Sequence, residues 1–327
     1  LINDDDLAYA KIRLDPHSRE TAVSDLSRVH SPLARALIWG SLWDSTRDAE
    51  TPPREFLELV LGNIHEETES TTIRTALGQL SLVARNYCAP GDRASVLEDV
   101  GTRVWELAHD AKPGSDAQFQ LVKAFASLAS TDAHAATLRA LREGAVSLSG
   151  LTIDTDLSWE LLAGLALCGA SNREEIEAAL AADNTSNGQQ AAARAQSLLP
   201  TTAEKRAVFD QLVSSSDTPN AIVRSLTLGY DLVNDQSALE PLVDDYFAML
   251  TPMWNSRTYK IAEYLAAGLY PGALVSQELV EKSRAWLASH TDIPALSRIV
   301  QENLAGVERA LRVQALDISH TQARGGA

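Results

Sequence analysis

The residues of this sequence whose types and spacing could do chemistry are few, and His65-Glu66 is the first pair to test. A zinc peptidase helix reads HExxH: two histidines one turn apart bind the metal from one face, and the glutamate serves as base. Here the frame is His65-Glu66-Glu67-Thr68-Glu69, and the second histidine is missing. The stretch NIHEETES reads instead as a solvated acidic helix start beside a turn. The other histidines, at 17, 30, 109, 134, 290 and 320, lack partners at i, i+4 and read as surface or satisfied core residues. Asp4-Asp5-Asp6 on an extended chain would point to alternate faces and would not converge on a cation. Asp244-Asp245 and Glu174-Glu175 read as charges on helix surfaces. No GxSxG elbow, GxxxxGK[ST] loop or GxGxxG turn is present. The reading is therefore that this segment has no catalytic residue, no metal ligand set and no cofactor site.

Two stretches combine aromatic and cationic residues. ALIWGSLWDSTRDAE carries Arg35, Trp43 and Arg47 in and around it, and MWNSRTYKIAEYLAAGLYPG carries Arg257, Tyr259 and Lys260. Aromatic rings interleaved with arginine are what a peptide-gripping wall would use. The ordinary alternative is that the rings are core and the cations lie on solvated faces.

The elements that must position these residues are helical. The chain has 327 residues, 45% of them hydrophobic, with only 6% aromatic. Apolar residues recur at helical spacing from Pro16 onward, in about fifteen segments with short polar turns between them. Helices of this length bury one face by pairing antiparallel, and successive pairs stack. The predicted fold class is all-α, an irregular HEAT-like α-solenoid or superhelical bowl of antiparallel helix pairs, with no tight repeat of the TPR or ankyrin kind. Asp156 is the expected cap of the helix LSWELLAGLAL, and a further helix is expected to start near Trp254. DNTSNGQQAAARAQ reads as a turn into a surface-facing helix. Only Ala8–Leu14 breaks the pattern. It alternates with the period of a half-buried β-strand, and a lone strand needs a partner.

With a net charge of −16, a pI near 4.8 and no dense Lys/Arg cluster, nucleic acid and anionic membrane surfaces are poor partners. Cys88 and Cys168 form no CxxC pattern, no signal-peptide pattern opens the chain, and the longest apolar run is too short to span a bilayer. These features point to the cytoplasm. Because the sequence starts at Leu1 rather than Met, it reads as a piece of a longer protein.

NDDDLAYAKIRLD resembles the segment that ends the β-sandwich domain of zinc aminopeptidases of the aminopeptidase N family and leads into their helical C-terminal domain. PLARALIWGSLWDSTRDAE, LTIDTDLSWELLAGLA, AIVRSLTLGYDL, WNSRTYKIAEYLAAGLYPG and QENLAGVERALRVQALD resemble stretches of that domain in the same order. It is also similar to the C-terminal domain of endoplasmic-reticulum aminopeptidases. The resemblance implies a division into residues 1–15, a strand and linker from an upstream β-sandwich; 16–320, the helical cap; and 321–327, a disordered tail. It implies zinc in an upstream catalytic domain that carries the GxMEN-type and HExxH…E motifs. It further implies that the parent releases N-terminal residues from peptides, while this fragment alone is inactive. The implied partners are the upstream catalytic and β-sandwich domains and peptide substrates. Arg35, Trp43, Arg47, Arg257, Tyr259 and Lys260 become candidate chamber-wall contacts. The alternative is a freestanding α-solenoid scaffold for protein partners.

Overall fold

A computed structural model describes residues 3–8 and 10–325. Among the described residues the chain forms α-helices and no strand. The helices are α1 (Pro16–Asp25), α2 (Pro32–Arg47), α3 (Pro53–Asn63), α4 (Ser70–Leu82), α5 (Arg93–Asp110), α6 (Asp116–Leu128), α7 (Asp132–Arg142) and α8 (Thr155–Leu167). They continue as α9 (Arg173–Ala182), α10 (Ser186–Leu198), α11 (Thr202–Ser214), α12 (Asn220–Tyr230), α13 (Val243–Ser256), α14 (Tyr259–Gly268), α15 (Gln277–Ser289) and α16 (Pro294–Gly325). The all-α class read from the sequence is the class observed.

The strand expected over residues 8–14 is not formed. Residues 10–15 belong to no regular element, and Tyr9 lies outside the described residues. A strand exists only through a ladder with another, and the described residues supply none. The alternation survives locally: Ile12 is buried, and its carbonyl accepts from Ser41 Oγ at 3.2 Å. The flanking Lys11 and Arg13 reach the carboxylate of Asp48, and Arg13 also reaches Glu50. Asp4–Asp6 is a single 3-10 turn rather than an extended loop. Asn3 closes it by bonding both the Ala8 carbonyl and the Ala8 N–H at 2.9 Å.

The chain divides into two compact units. The first comprises residues 1–128, 147–152 and 309–327. Its core is built where α3, α4, α5 and α6 pack together. Phe56, Leu59 and Val60 fall one turn apart on α3, and all are buried with Leu80, Val104, Val122 and Phe125. Pro53 starts α3 at its first turn, where a missing N–H costs no hydrogen bond. The end of α4 widens into a π-helical turn over Val83–Tyr87. The second half of α16 belongs to this unit, with Val313, Gln314 and Asp317 buried. Asp317 accepts from Arg54 Nε at 3.0 Å and from the Ala89 N–H at 2.8 Å. The helix continues through Gly325, so residues 321–325, read from the sequence as tail, extend it. Each residue added to an existing helix gains a hydrogen bond without a new nucleation cost. Residues 326 and 327 lie outside the described residues.

The second unit comprises residues 129–146 and 153–308. Alternate helices pack in a row: α8 on α10, α10 on α12, α12 on α14. α10 is interior, not surface-facing. Its Gly188, Ala192, Ala193, Ala195 and Leu198 are buried, and Ala192, Ala195 and Leu198 cluster with Trp159, Leu162 and Ala166 of α8. Small side chains read as surface from composition alone, but here they allow helices to approach on two sides. A Cβ on Gly229 would stand 3.0 Å from the Arg194 carbonyl and 2.2 Å from Ser197 Oγ. α8 is capped by Asp154, not Asp156: its Oδ1 accepts from the Leu157 N–H at 2.8 Å. α13 runs through Pro252 to Ser256, and the next helix starts at Tyr259 rather than near Trp254.

Lys205 of α11 is fully buried in this unit. Its ammonium donates to the Ser197 carbonyl at 2.6 Å and the Tyr230 carbonyl at 2.9 Å, near the C-terminal ends of α10 and α12. Asp231 accepts the Ala273 N–H at 3.0 Å, tying the end of α12 to the loop after α14.

Candidate functional surfaces

The six residues singled out from the sequence fall into two groups of three, one in each unit. In the first unit all three sit on α2, and the structure gives them different surroundings. Arg35 is interior, 7% exposed. Its Nε donates to Glu67 Oε1 at 2.8 Å and its Nη1 to the Val29 carbonyl at 2.8 Å, while Trp39 Nε1 reaches the same Glu67 oxygen at 2.9 Å. This buried ion pair ties α2 to the residues after α3. Trp43 is half-buried, with its ring centroid 5.4 Å from Phe56 and stacked on Tyr87 at 6.0 Å with an 11° interplanar angle.

Arg47 follows Trp43 by one turn and is half-buried, and its Nε is buried with no hydrogen-bond partner. Tyr87 is buried at the end of the π-helical turn. The side chain of Gln314 donates to the Asn86 carbonyl at 2.9 Å, which sets α16 beside this turn. Arg309 and Arg312 precede Gln314 on that helix, and the Arg309 Nε is likewise buried without a partner. Burial pushes the Tyr87 phenol up, and the positive charges of Arg309, Arg47 and Arg312 oppose it. Asp48, the carboxylate that also reaches Tyr87, is occupied by Lys11 and Arg13, which hold it below the usual carboxylate range. Sequence reading missed Tyr87, Arg309 and Arg312. The two arginines are three apart on an evident helix, so a shared face was legible, but the seating of that helix beside the turn through Gln314 depends on the fold.

In the second unit Arg257 follows α13, and its Nη2 donates to the Val213 carbonyl at 2.8 Å. Tyr259 is exposed and meets Trp254 edge-on at 5.5 Å. Lys260 Nζ bonds Glu263 Oε2 at 2.7 Å and lies 4.7 Å from the Tyr264 ring centroid. The Glu263 carboxylate holds this ammonium above its ordinary range. Arg257 is thus spent on backbone, whereas Tyr259 and Lys260 face solvent.

Nothing in the first chemical candidate converges. His65 is partly exposed and lies 3.4 Å from Glu66. Among the described residues no group of three or more His, Cys, Asp or Glu side chains gathers as metal ligands would. The donor set of the described residues does not fit zinc. Among the same residues no helix is long and apolar enough to cross a membrane.

An ERAP1-like C-terminal domain matches residues 1–309. The chain is 39% identical over 321 residues to a protein of Streptomyces lividans described as aminopeptidase N. That match covers 97% of this chain but only 37% of the relative's length. With a family match over residues 1–309, the chain belongs to the ERAP1-like C-terminal domain family.

Proposed function

We propose that this chain is the C-terminal part of a zinc aminopeptidase of the aminopeptidase N type, closing the substrate chamber and supplying none of the reacting groups. One observation carries the reading: 97% of the chain aligns with 37% of an aminopeptidase N. The zinc, the water it activates and the general base then belong to the remainder of the polypeptide. In this reading residues 1–15 join the cap to the domain before it, and the helical remainder, whose last helix runs through Gly325, is the cap. An alternating segment with Ile12 inward and no ladder partner among the described residues suits an edge that pairs with a sheet elsewhere in the polypeptide. Trp43, Arg47, Tyr259 and Lys260 are the wall residues proposed to touch peptide, and Arg35 and Arg257 support the elements that carry them. We place the parent in the cytoplasm, consistent with two free cysteines.

The test is to express this chain alone and supply an aminoacyl-fluorogenic substrate, measuring turnover and zinc content. The expected result is no turnover and no stoichiometric zinc. The separately made upstream part of the same polypeptide is then added. Co-sedimentation as a one-to-one complex is the expected result, and separate sedimentation at micromolar concentration overturns the cap role.

A further inference from the structure

A cavity of about 550 Å³ opens between α1, the residues that lead into it, and α2. That volume falls within the range of small-molecule sites, about 300–1,000 Å³. Every residue lining it belongs to the first unit. Its apolar lining is Leu14, Ala22, Val29 and Ile38, of which Ala22 and Ile38 are buried. Its acidic groups stand at the two ends of α1: Asp15 caps the helix, Asp25 ends it, and both line the cavity. Ser18 and Ala22 fall between them at spacings of three and four residues, so one face of α1 carries all four. Ten residues of helix put the two carboxylates about 15 Å apart, too far to share one cation.

Both carboxylates retain room to accept. Asp15 is exposed and takes three donors, the His17 and Ser18 N–H groups at 3.1 Å and Ser18 Oγ at 2.6 Å. A carboxylate offers about four such positions. Asp25 meets Arg28 at 2.9 Å, but the Arg28 side chain is 82% exposed, and water and salt loosen a pair of that kind. Arg13 also lines the cavity, and its charge is met by Asp48 and Glu50.

We propose that this cavity binds a linear aliphatic dication, with one ammonium at Asp15, the other at Asp25 and the methylene chain over Leu14, Ala22, Val29 and Ile38. An ammonium brings three donors, and its hydrogen bonds to a carboxylate are charge-assisted. The methylenes gain by leaving water for the apolar lining. The net charge of −16 draws cations toward the chain as a whole, whereas the separation of the two acids selects among them by length. The site lies within this chain and stands apart from the peptidase reading. Two sources share this chemistry, a plain α,ω-diamine and a polyamine with an internal amine.

Isothermal titration of the intact chain with 1,8-diaminooctane tests the site at physiological salt, where exposed charges more than about 8 Å apart are screened. Saturable one-to-one binding is expected, about tenfold tighter than for octylamine, which has one ammonium, or for 1,3-diaminopropane, which is too short. Asp15→Asn keeps a helix cap, and Asp25→Asn keeps the side-chain shape. Each is expected to weaken 1,8-diaminooctane about fivefold or more, with folding checked by circular dichroism. Glu174→Gln/Glu177→Gln removes two charges in the second unit and is expected to leave the affinity unchanged. A second arm uses spermidine: tighter binding than 1,8-diaminooctane assigns the site to polyamines, and equal or weaker binding assigns it to plain diamines. Absence of saturable binding, no preference over octylamine or 1,3-diaminopropane, unchanged affinity in Asp15→Asn/Asp25→Asn, or an equal loss in Glu174→Gln/Glu177→Gln overturns the proposal.

Discussion

Single ionisable groups decide more in this protein than their number suggests, because several are buried where water cannot replace a lost partner. Asp317 is fully buried and receives both the Arg54 guanidinium and the Ala89 N–H. Asp317→Ala leaves a cation and an amide unpartnered and is expected to lower stability by about 3 kcal/mol. Asp317→Asn keeps an acceptor for Ala89 and should cost ~1–2 kcal/mol, both read from urea midpoints. Lys205 and Asp231 set a pH dependence. Burial lowers the Lys205 ammonium from 10.5 to about 7 and raises the Asp231 carboxyl from 3.8 to about 7. A raised carboxyl contributes stability that is complete below 3.8 and lost as pH climbs through 7. A lowered ammonium contributes stability that is complete above 10.5 and lost as pH falls through 7. The two together place a minimum near neutrality. Asp231→Asn removes the acidic limb, so the native chain's advantage over the variant should shrink between pH 5 and pH 7 in urea titrations. A constant difference across that range would refute the assignment.

At the level of helices, the apolar faces and most helix starts were legible in the sequence, because a spacing of three and four residues repeats wherever a core face is needed. Pro32 and Pro53 at first turns were equally plain. What spacing could not reveal was how closely helices approach. α10 is rich in alanine and polar residues, so composition assigned it to the surface. The structure buries it between α8 and α12, where small side chains are required. Gly229→Ala puts a methyl group 2.2 Å from Ser197 Oγ and 3.0 Å from the Arg194 carbonyl. It should cost about 2 kcal/mol by calorimetric midpoint, since backbone on one side cannot yield. Gly40→Ala, with open space around it, should be neutral or slightly stabilising. The site shows the same split. Trp43 and Arg47 were readable as a pair one turn apart, whereas the stack of Trp43 on Tyr87 depends on the fold, because no spacing links residues that far apart. The strand read at Ala8–Leu14 is not shown among the described residues for a related reason: alternation gives a segment its faces, but pairing needs a neighbour.

Across the whole chain, α16 serves both units, its residues to Glu308 in the second and those from Arg309 in the first. The family match ends at residue 309, yet Ala310, Val313, Gln314 and Asp317 beyond it are buried. A version cut after Glu308 is expected to lose the near-ultraviolet dichroism of Trp43 and Tyr87 and to become susceptible to protease within α3–α6. A version cut after His320 should keep both. Equal protease resistance of the two versions would show that the first unit stands without that helix. The same sharing orders events on the ribosome. Residues 153–308 must be made between the bulk of the first unit and the stretch that completes it. At ordinary synthesis rates that is on the order of ten seconds, during which the later-encoded unit has the material to finish first. Until then the half-built α3–α6 assembly carries an open apolar seam, and that interval is when the nascent chain most needs a chaperone's cover.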